Sequence, residues 1–73
     1  MARIVSVIEV LAQSDQSWEQ AAQNAVSEAA KTVRHIRSIY GQEFQADVQD
    51  GKITAYRLNA KISFDLEESD ARG

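Results

Sequence analysis

Read two residues at a time, the chain from Thr54 to Leu66 alternates without a break. Thr54, Tyr56, Leu58, Ala60, Ile62, Phe64 and Leu66 fall on one side, and Ala55, Arg57, Asn59, Lys61, Ser63 and Asp65 on the other. A period of two sustained over this length predicts a long antiparallel strand with one buried face. Ile4 to Leu11 is denser in apolar residues, broken only by Ser6 and Glu9, and predicts a strand buried on much of both faces. Ala12 to Gln16 is polar and turn-like. Ser17-Trp18-Glu19-Gln20 then reads as a capping box, in which the Ser17 hydroxyl accepts from the Gln20 backbone N–H and the Gln20 side chain reaches back. Trp18, Ala22, Ala25, Val26, Ala29, Val33 and Ile36 follow at spacings of three and four, one apolar stripe on a helix of about 20 residues. Glu19 lies at its amino end and Lys31, Arg34, His35 and Arg37 at its carboxyl end, the order that complements the helix dipole. So many alanines let a sheet approach closely, and Trp18 stands out as the one bulky residue of the stripe.

Ser38 to Val48 predicts the second strand, joined to the third through Gln49-Asp50-Gly51. A two-residue type I′ turn at Asp50-Gly51 would set Phe44 opposite Arg57 and Gln45 opposite Tyr56, mixing apolar and polar faces. A three-residue loop with Gly51 in the left-handed position pairs Val48 with Lys52 instead. Phe44 then meets Tyr56, Tyr40 meets Ala60 and Ala46 meets Thr54 on the core side, with Glu43 opposite Arg57 outside. The expected fold is therefore α+β in the order β-α-β-β, a three-stranded antiparallel sheet curled around one helix. Its outer face would carry Ile39, Gly41, Glu43, Gln45 and Asp47 beside Ile53, Ala55, Arg57, Asn59 and Lys61. That mixture is too apolar for water alone and too charged for a core, and it predicts a subunit interface.

With 73 residues and no cysteine, the chain is expected to form a single domain, residues 1–73, that buries only roughly 60% of its unfolded surface and gains stability by self-association. Thiolate catalysis, thiolate zinc sites and disulfides are excluded. No apolar run is long enough for a bilayer span and the first residues lack the layout of a signal peptide, so a cytoplasmic location is expected. The net charge of −3 comes from the acidic tail, residues 65–73, where Asp65, Glu67, Glu68 and Asp70 face only Arg72. The rest of the chain is electrically balanced. It offers no basic stripe to nucleic acid and no attraction to an anionic membrane, so neither is expected as a partner. His35 is the only histidine. There is no glycine-rich phosphate loop and no nucleophile with a neighbouring base, and enzymatic activity is not expected.

The β-α-β-β order in so short a chain, Val7-Ile8-Glu9-Val10, the Ser-initiated helix with its Ala-Ala pairs, and Ile62-Ser63-Phe64-Asp65-Leu66-Glu67-Glu68 together resemble the dodecins. The likeness runs from about Ile4 to Ser69. It implies a hollow homododecamer of small subunits that in many members holds flavins. Flavin binding in that family depends on a Trp just after the helix, which stacks on the isoalloxazine, and on a Gln in the third strand. The resemblance places Ser38 and Arg57 at those two positions, with Tyr40 as a neighbour. Ser17-Trp18-Glu19-Gln20-Ala21-Ala22 with Ile36-Arg37 is closer to the calcium dodecin subgroup, which also lacks the strand Trp.

Two functions follow as expectations. One is a homo-oligomeric storage protein that sequesters a small aromatic ligand such as a flavin, with Ser38, Arg57 and Tyr40 at the site although the usual flavin residues are absent. The other is a calcium-binding or purely structural assembly, in which Asp47, Asp50, Asp65 and Glu67 supply oxygen ligands across subunits.

Overall fold

A computed structural model describes residues 4–66. Its elements run β1 (Val5–Ser14), α1 (Trp18–Ala29), β2 (Ile36–Gln49) and β3 (Lys52–Asp65). They form one three-stranded sheet in the order β1-β3-β2, with β3 antiparallel to both neighbours. The β-α-β-β arrangement read from the alternation and the capping box is thus the fold. The acidic tail beyond Leu66 lies outside the described residues. No helix among the described residues is long and apolar enough to cross a membrane.

The helix begins where the capping box sets it. Ser17 is extended, with φ −170°, and its Oγ accepts the Gln20 backbone N–H at 2.9 Å. The reciprocal half of the box does not form, because the Gln20 side chain donates to Asn24 at 2.9 Å instead. The helix is also shorter than its apolar stripe predicts. It spans 12 residues and ends at Ala30, leaving Val33 outside it and Ile36 at the start of β2. In the closing turn Lys31 N–H and Thr32 N–H reach back only three residues, to Glu28 and Ala29, and the Thr32 hydroxyl also leans on the Ala29 carbonyl at 3.4 Å. A β-branched residue whose side chain competes for the backbone favours termination there. The last turn of the helix accordingly carries no basic residue, contrary to the dipole reading, and Arg37 belongs to β2.

Between helix and sheet the core is small. Ala12, Ala21, Leu58 and Ala60 are buried, with Val10, Trp18, Ala22, Ala25 and Ile39 packed around them, and Ile62 is fully buried farther along β3. Alanine on both sides brings the helix down onto β1 and β3. Trp18 closes one end of this core, its ring edge-on to Tyr56 at 4.9 Å and Phe44 at 5.9 Å between centroids.

The hairpin departs from the expected register. Asp50 (φ 53°) and Gly51 (φ 77°) are both left-handed and Gln49 pairs with Lys52, so the turn is the two-residue type I′ form. The mixing of faces that argued against it is removed two residues later by a bulge. Asp47 pairs with Ala55 but Val48 with Ile53, leaving Thr54 extra on β3. Phe44 then sits opposite Leu58, Ala46 opposite Tyr56 and Glu43 opposite Asn59. A second bulge at Gln42 and a third at Arg37 shift β2 again, so that Ile39 faces Ile62 on the helix side and Tyr40 faces Lys61 on the outside. Tyr40 and Ile39 have therefore exchanged the faces expected of them. β1 differs too: its outward residues Val5, Val7 and Leu11 are 38, 55 and 62% exposed, where burial on both faces was expected.

Candidate functional site

Directly opposed residues of an antiparallel ladder share a face, so the register orders the outward side of the sheet into rows. Val7, Ser63 and Ser38 form one; Glu9, Lys61 and Tyr40 the next; then Leu11, Asn59 and Glu43; then Gln13, Arg57 and Gln45; and last Ala55 with Asp47. The helix covers the other side. β3, the central strand, thus supplies a polar spine flanked by an apolar strip on β1 and by acidic and aromatic residues on β2.

Polar groups on this face are only partly matched within the chain. Ser38 Oγ and Ser63 Oγ share a hydrogen bond of 2.7 Å. Asn59 Nδ2 donates to Glu43 Oε1 at 3.3 Å. Arg57 Nη2 meets Asp47 Oδ2 at 3.4 Å, the two side chains being 37 and 45% exposed. An ion pair this exposed and this long contributes at most about 1 kcal/mol. Arg57 Nε is shielded from water and has no acceptor. Glu43 and Arg57, expected opposite each other, occupy adjacent rows instead. Asn59 and Ser63 are partners that the sequence reading did not single out, because cross-strand identity depends on bulges that alternation does not reveal.

The three residues expected to hold a flavin fall into two neighbourhoods. Ser38 and Tyr40 lie in successive rows of the outer face, and Tyr40 is 65% exposed. Arg57 lies six residues along β3 from Ser63, roughly 20 Å away at the strand rise. One chain therefore does not bring all three around one small ligand.

The expected calcium ligands are likewise spread out. Asp47 sits with Arg57, Asp50 forms the hairpin turn, and Asp65 lies at the far end of β3, where Arg37 Nη1 approaches its Oδ1 at 3.6 Å. Asp47 and Asp65 are ten residues apart along β3, counted from Ala55, which is roughly 33 Å. Glu67 lies outside the described residues. Among the described residues no group of three or more His, Cys, Asp or Glu side chains converges. Asp47, Asp50 and Asp65 could meet at one cation only if they came from more than one copy.

Two apolar surfaces complete the picture. One is the outward strip of β1, with Val5, Val7 and Leu11. The other lies at the hairpin end, where Phe44, Val48 and Ile53 are 60, 64 and 49% exposed. The second exists because strands of 14 residues extend roughly 46 Å, whereas a helix of 12 residues spans only about 18 Å.

Residues 4–67 match the family model for dodecin. The calcium dodecin of Mycobacterium tuberculosis is 37% identical, the match covering 94% of this chain and 97% of that protein. A crystal structure of that calcium dodecin, a calcium-chelating antigen, superposes with a TM-score of 0.75 over 90% of this chain and 94% of its own. A crystal structure of the Thermus thermophilus dodecin superposes with a TM-score of 0.87 at 25% identity, covering 92% of this chain and all of that one.

Proposed function

This chain belongs to the dodecin family, and from that premise we propose that it is a homo-oligomeric binding and storage protein, twelve single-domain copies closing into a hollow shell that sequesters a small ligand without catalysis. The observation that carries the assembly is the presence of separate exposed apolar surfaces, Val5, Val7 and Leu11 on β1 and Phe44, Val48 and Ile53 at the hairpin end. Each such side chain gains roughly 1.5–3 kcal/mol when taken fully out of water. One isologous contact through either surface leaves the other open. A closed shell with two kinds of contact covers both, and closure removes the exposed strand edges as well. Light scattering coupled to size exclusion tests this, with a mass many times the 8.1 kDa of one chain expected. A monomer at micromolar concentration would overturn it.

For the ligand, the family resemblance supports a flavin or another small aromatic molecule, with Tyr40 as the exposed ring beside Ser38 and with Arg57 supplied from elsewhere in the assembly. A second reading, calcium, is favoured by a specific residue. Ser38 stands where the flavin-binding pattern has Trp, and its hydroxyl is already engaged with Ser63. The 37% identity to a protein named calcium dodecin supports the same reading. Asp47, Asp50, Asp65 and Glu67 would then supply oxygens from neighbouring copies. The visible absorbance of the purified protein separates the two, since bound flavin is yellow and calcium is colourless.

A further inference from the structure

Asp50 and Gly51 are the only consecutive residues with left-handed backbone among the described residues, at φ 53° and 77°. Both are exposed, and the space around Gly51 is open, since a Cβ built there would meet nothing within 4 Å. Gln49 and Lys52 pair beneath them and close the turn, and no turn hydrogen bond engages the Gly51 N–H. A carboxyl carbon thus stands one residue before an unhindered, unbonded glycine nitrogen, and the two can close a five-membered ring.

We propose that Asp50-Gly51 is a site of spontaneous isoaspartate formation whose rate the turn controls. In the first step Gly51 N bonds to Asp50 Cγ and the Cγ–OH bond of the neutral carboxyl breaks, the hydroxyl leaving as water with the proton from the nitrogen. Water then opens the cyclic imide. Attack at Cγ breaks the new bond and returns aspartate. Attack at the main-chain carbonyl carbon breaks its bond to Gly51 N, so that the chain runs through Cγ and the former carbonyl carbon becomes a free carboxylate. One water leaves and one enters, and no other reactant is needed.

The ring closes only when Gly51 N is turned toward Cβ, at a ψ of about −120° for Asp50. A type I′ turn holds ψ at about +30° there, whereas a type II′ turn has about −120° with the same φ. Rotating the single peptide unit between Asp50 and Gly51 converts one form into the other. Gly51 then moves from positive to negative φ, which glycine accepts, and the Gln49 and Lys52 pair stays in place. The flipped backbone is strained for aspartate, which keeps that form scarce and slows closure roughly 10–100-fold relative to an unfolded chain. The product adds one methylene carbon to the main chain at the tip. A two-residue loop that must match the twist of its strands is loosened by it, next to the Val48 and Ile53 pair.

The test is ageing of the native protein in water enriched in oxygen-18, because each passage through the imide installs one labelled oxygen. After several weeks of warm incubation, peptide mapping should find label and isoaspartate at Asp50, and the thermal midpoint should fall as the product accumulates. A parallel sample unfolded in guanidinium chloride should convert roughly 10–100-fold faster. Asp50→Gly removes Cγ and keeps the left-handed backbone, so its midpoint should stay constant over the same period. A native protein without label at Asp50, beside an unfolded chain that acquires it, would overturn the proposal. Equal rates in the two samples would overturn the part assigned to the turn, and a falling midpoint in Asp50→Gly would overturn the link between this residue and the loss of stability.

Discussion

Trp18 Nε1 donates to the backbone oxygen of Gln45 across 3.0 Å and 27 residues of chain. The bond fastens the first residue of the helix to the strand farthest from β1, and the indole fills the angle between Tyr56 and Phe44. Trp18→Phe keeps a ring and removes the donor, so a loss of about 1 kcal/mol is expected, the usual net value of a hydrogen bond. Trp18→Ala also removes the ring and should cost about 3 kcal/mol, the low end for an aromatic truncation because this ring is only partly buried. Urea midpoints at one fixed protein concentration measure both. Equal losses would mean that the edge-on ring contacts contribute nothing.

Gly41 and Gly51 are needed for opposite reasons. A Cβ at Gly41 would stand 3.2 Å from both Leu58 Cδ1 and Phe44 Cζ, whereas one at Gly51 would touch nothing within 4 Å but would have to accept φ +77°. Phe44 is exposed and free to swing aside, but Leu58 is only 3% exposed. Gly41→Ala should therefore cost about 1 kcal/mol by overpacking, and Gly51→Ala about 1–2 kcal/mol by left-handed strain. Asparagine separates the causes. It should be milder than alanine at Gly51, where left-handed backbone suits it, and harsher at Gly41, where its added atoms meet Leu58. The same order at both positions in thermal unfolding would refute this division.

The sequence made the alternation from Tyr56 to Phe64, the Ser17 cap and the β-α-β-β order legible, because each rests on local chemistry within a few residues. The helix end was hidden, since Val33 and Ile36 continue the three-and-four spacing past the point where Thr32 breaks the backbone pattern. The outer face was hidden further. Gln42, Thr54 and Arg37 each add a residue to one strand only, and every such addition exchanges inside for outside beyond it. Tyr40 was thus expected in the core and is on the surface, while Ile39 made the reverse move. Glu43 and Arg57 were expected directly opposite each other and stand in adjacent rows. The partners of Ser38 and Glu43, Ser63 and Asn59, followed only from the true register.

Ser38→Trp should create flavin affinity if the family's stacking contact is what this chain lacks. The added ring lies next to Tyr40 on the outward face, and a stacked aromatic pair contributes roughly 0.5–1.5 kcal/mol beyond area burial. Quenching of riboflavin and FMN fluorescence should be weak or absent with the native protein and measurable with the variant. Submicromolar quenching by the native protein would show that Ser38 is no obstacle.

Calcium binding, if it occurs through Asp47, Asp50 and Asp65, should require the assembled protein, because one chain holds Asp47 and Asp65 roughly 33 Å apart. Isothermal titration is expected to show heat with the assembled protein and none with subunits separated by dilution. Asp50→Asn should weaken the response while leaving the fold unchanged, since Asp50 is an exposed turn residue without an ion pair among the described residues and asparagine accepts its left-handed backbone. Equal heats from shell and subunit would place the cation on a single chain.

Bulges bend the strand that carries them and increase its local twist, and β2 carries two while β3 carries one. In a closed shell the tilt between one subunit's outer face and its helix side fixes how steeply neighbours meet, and that dihedral angle sets how many copies complete a turn. Arg37, Gln42 and Thr54, the residues left without a register partner in the ladder, are the places that would set that angle in an assembly. Deleting any one of them would straighten the strand there and exchange the faces of every residue beyond it, so the same three residues tie the angle at which copies could meet to the choice of side chains that the helix covers.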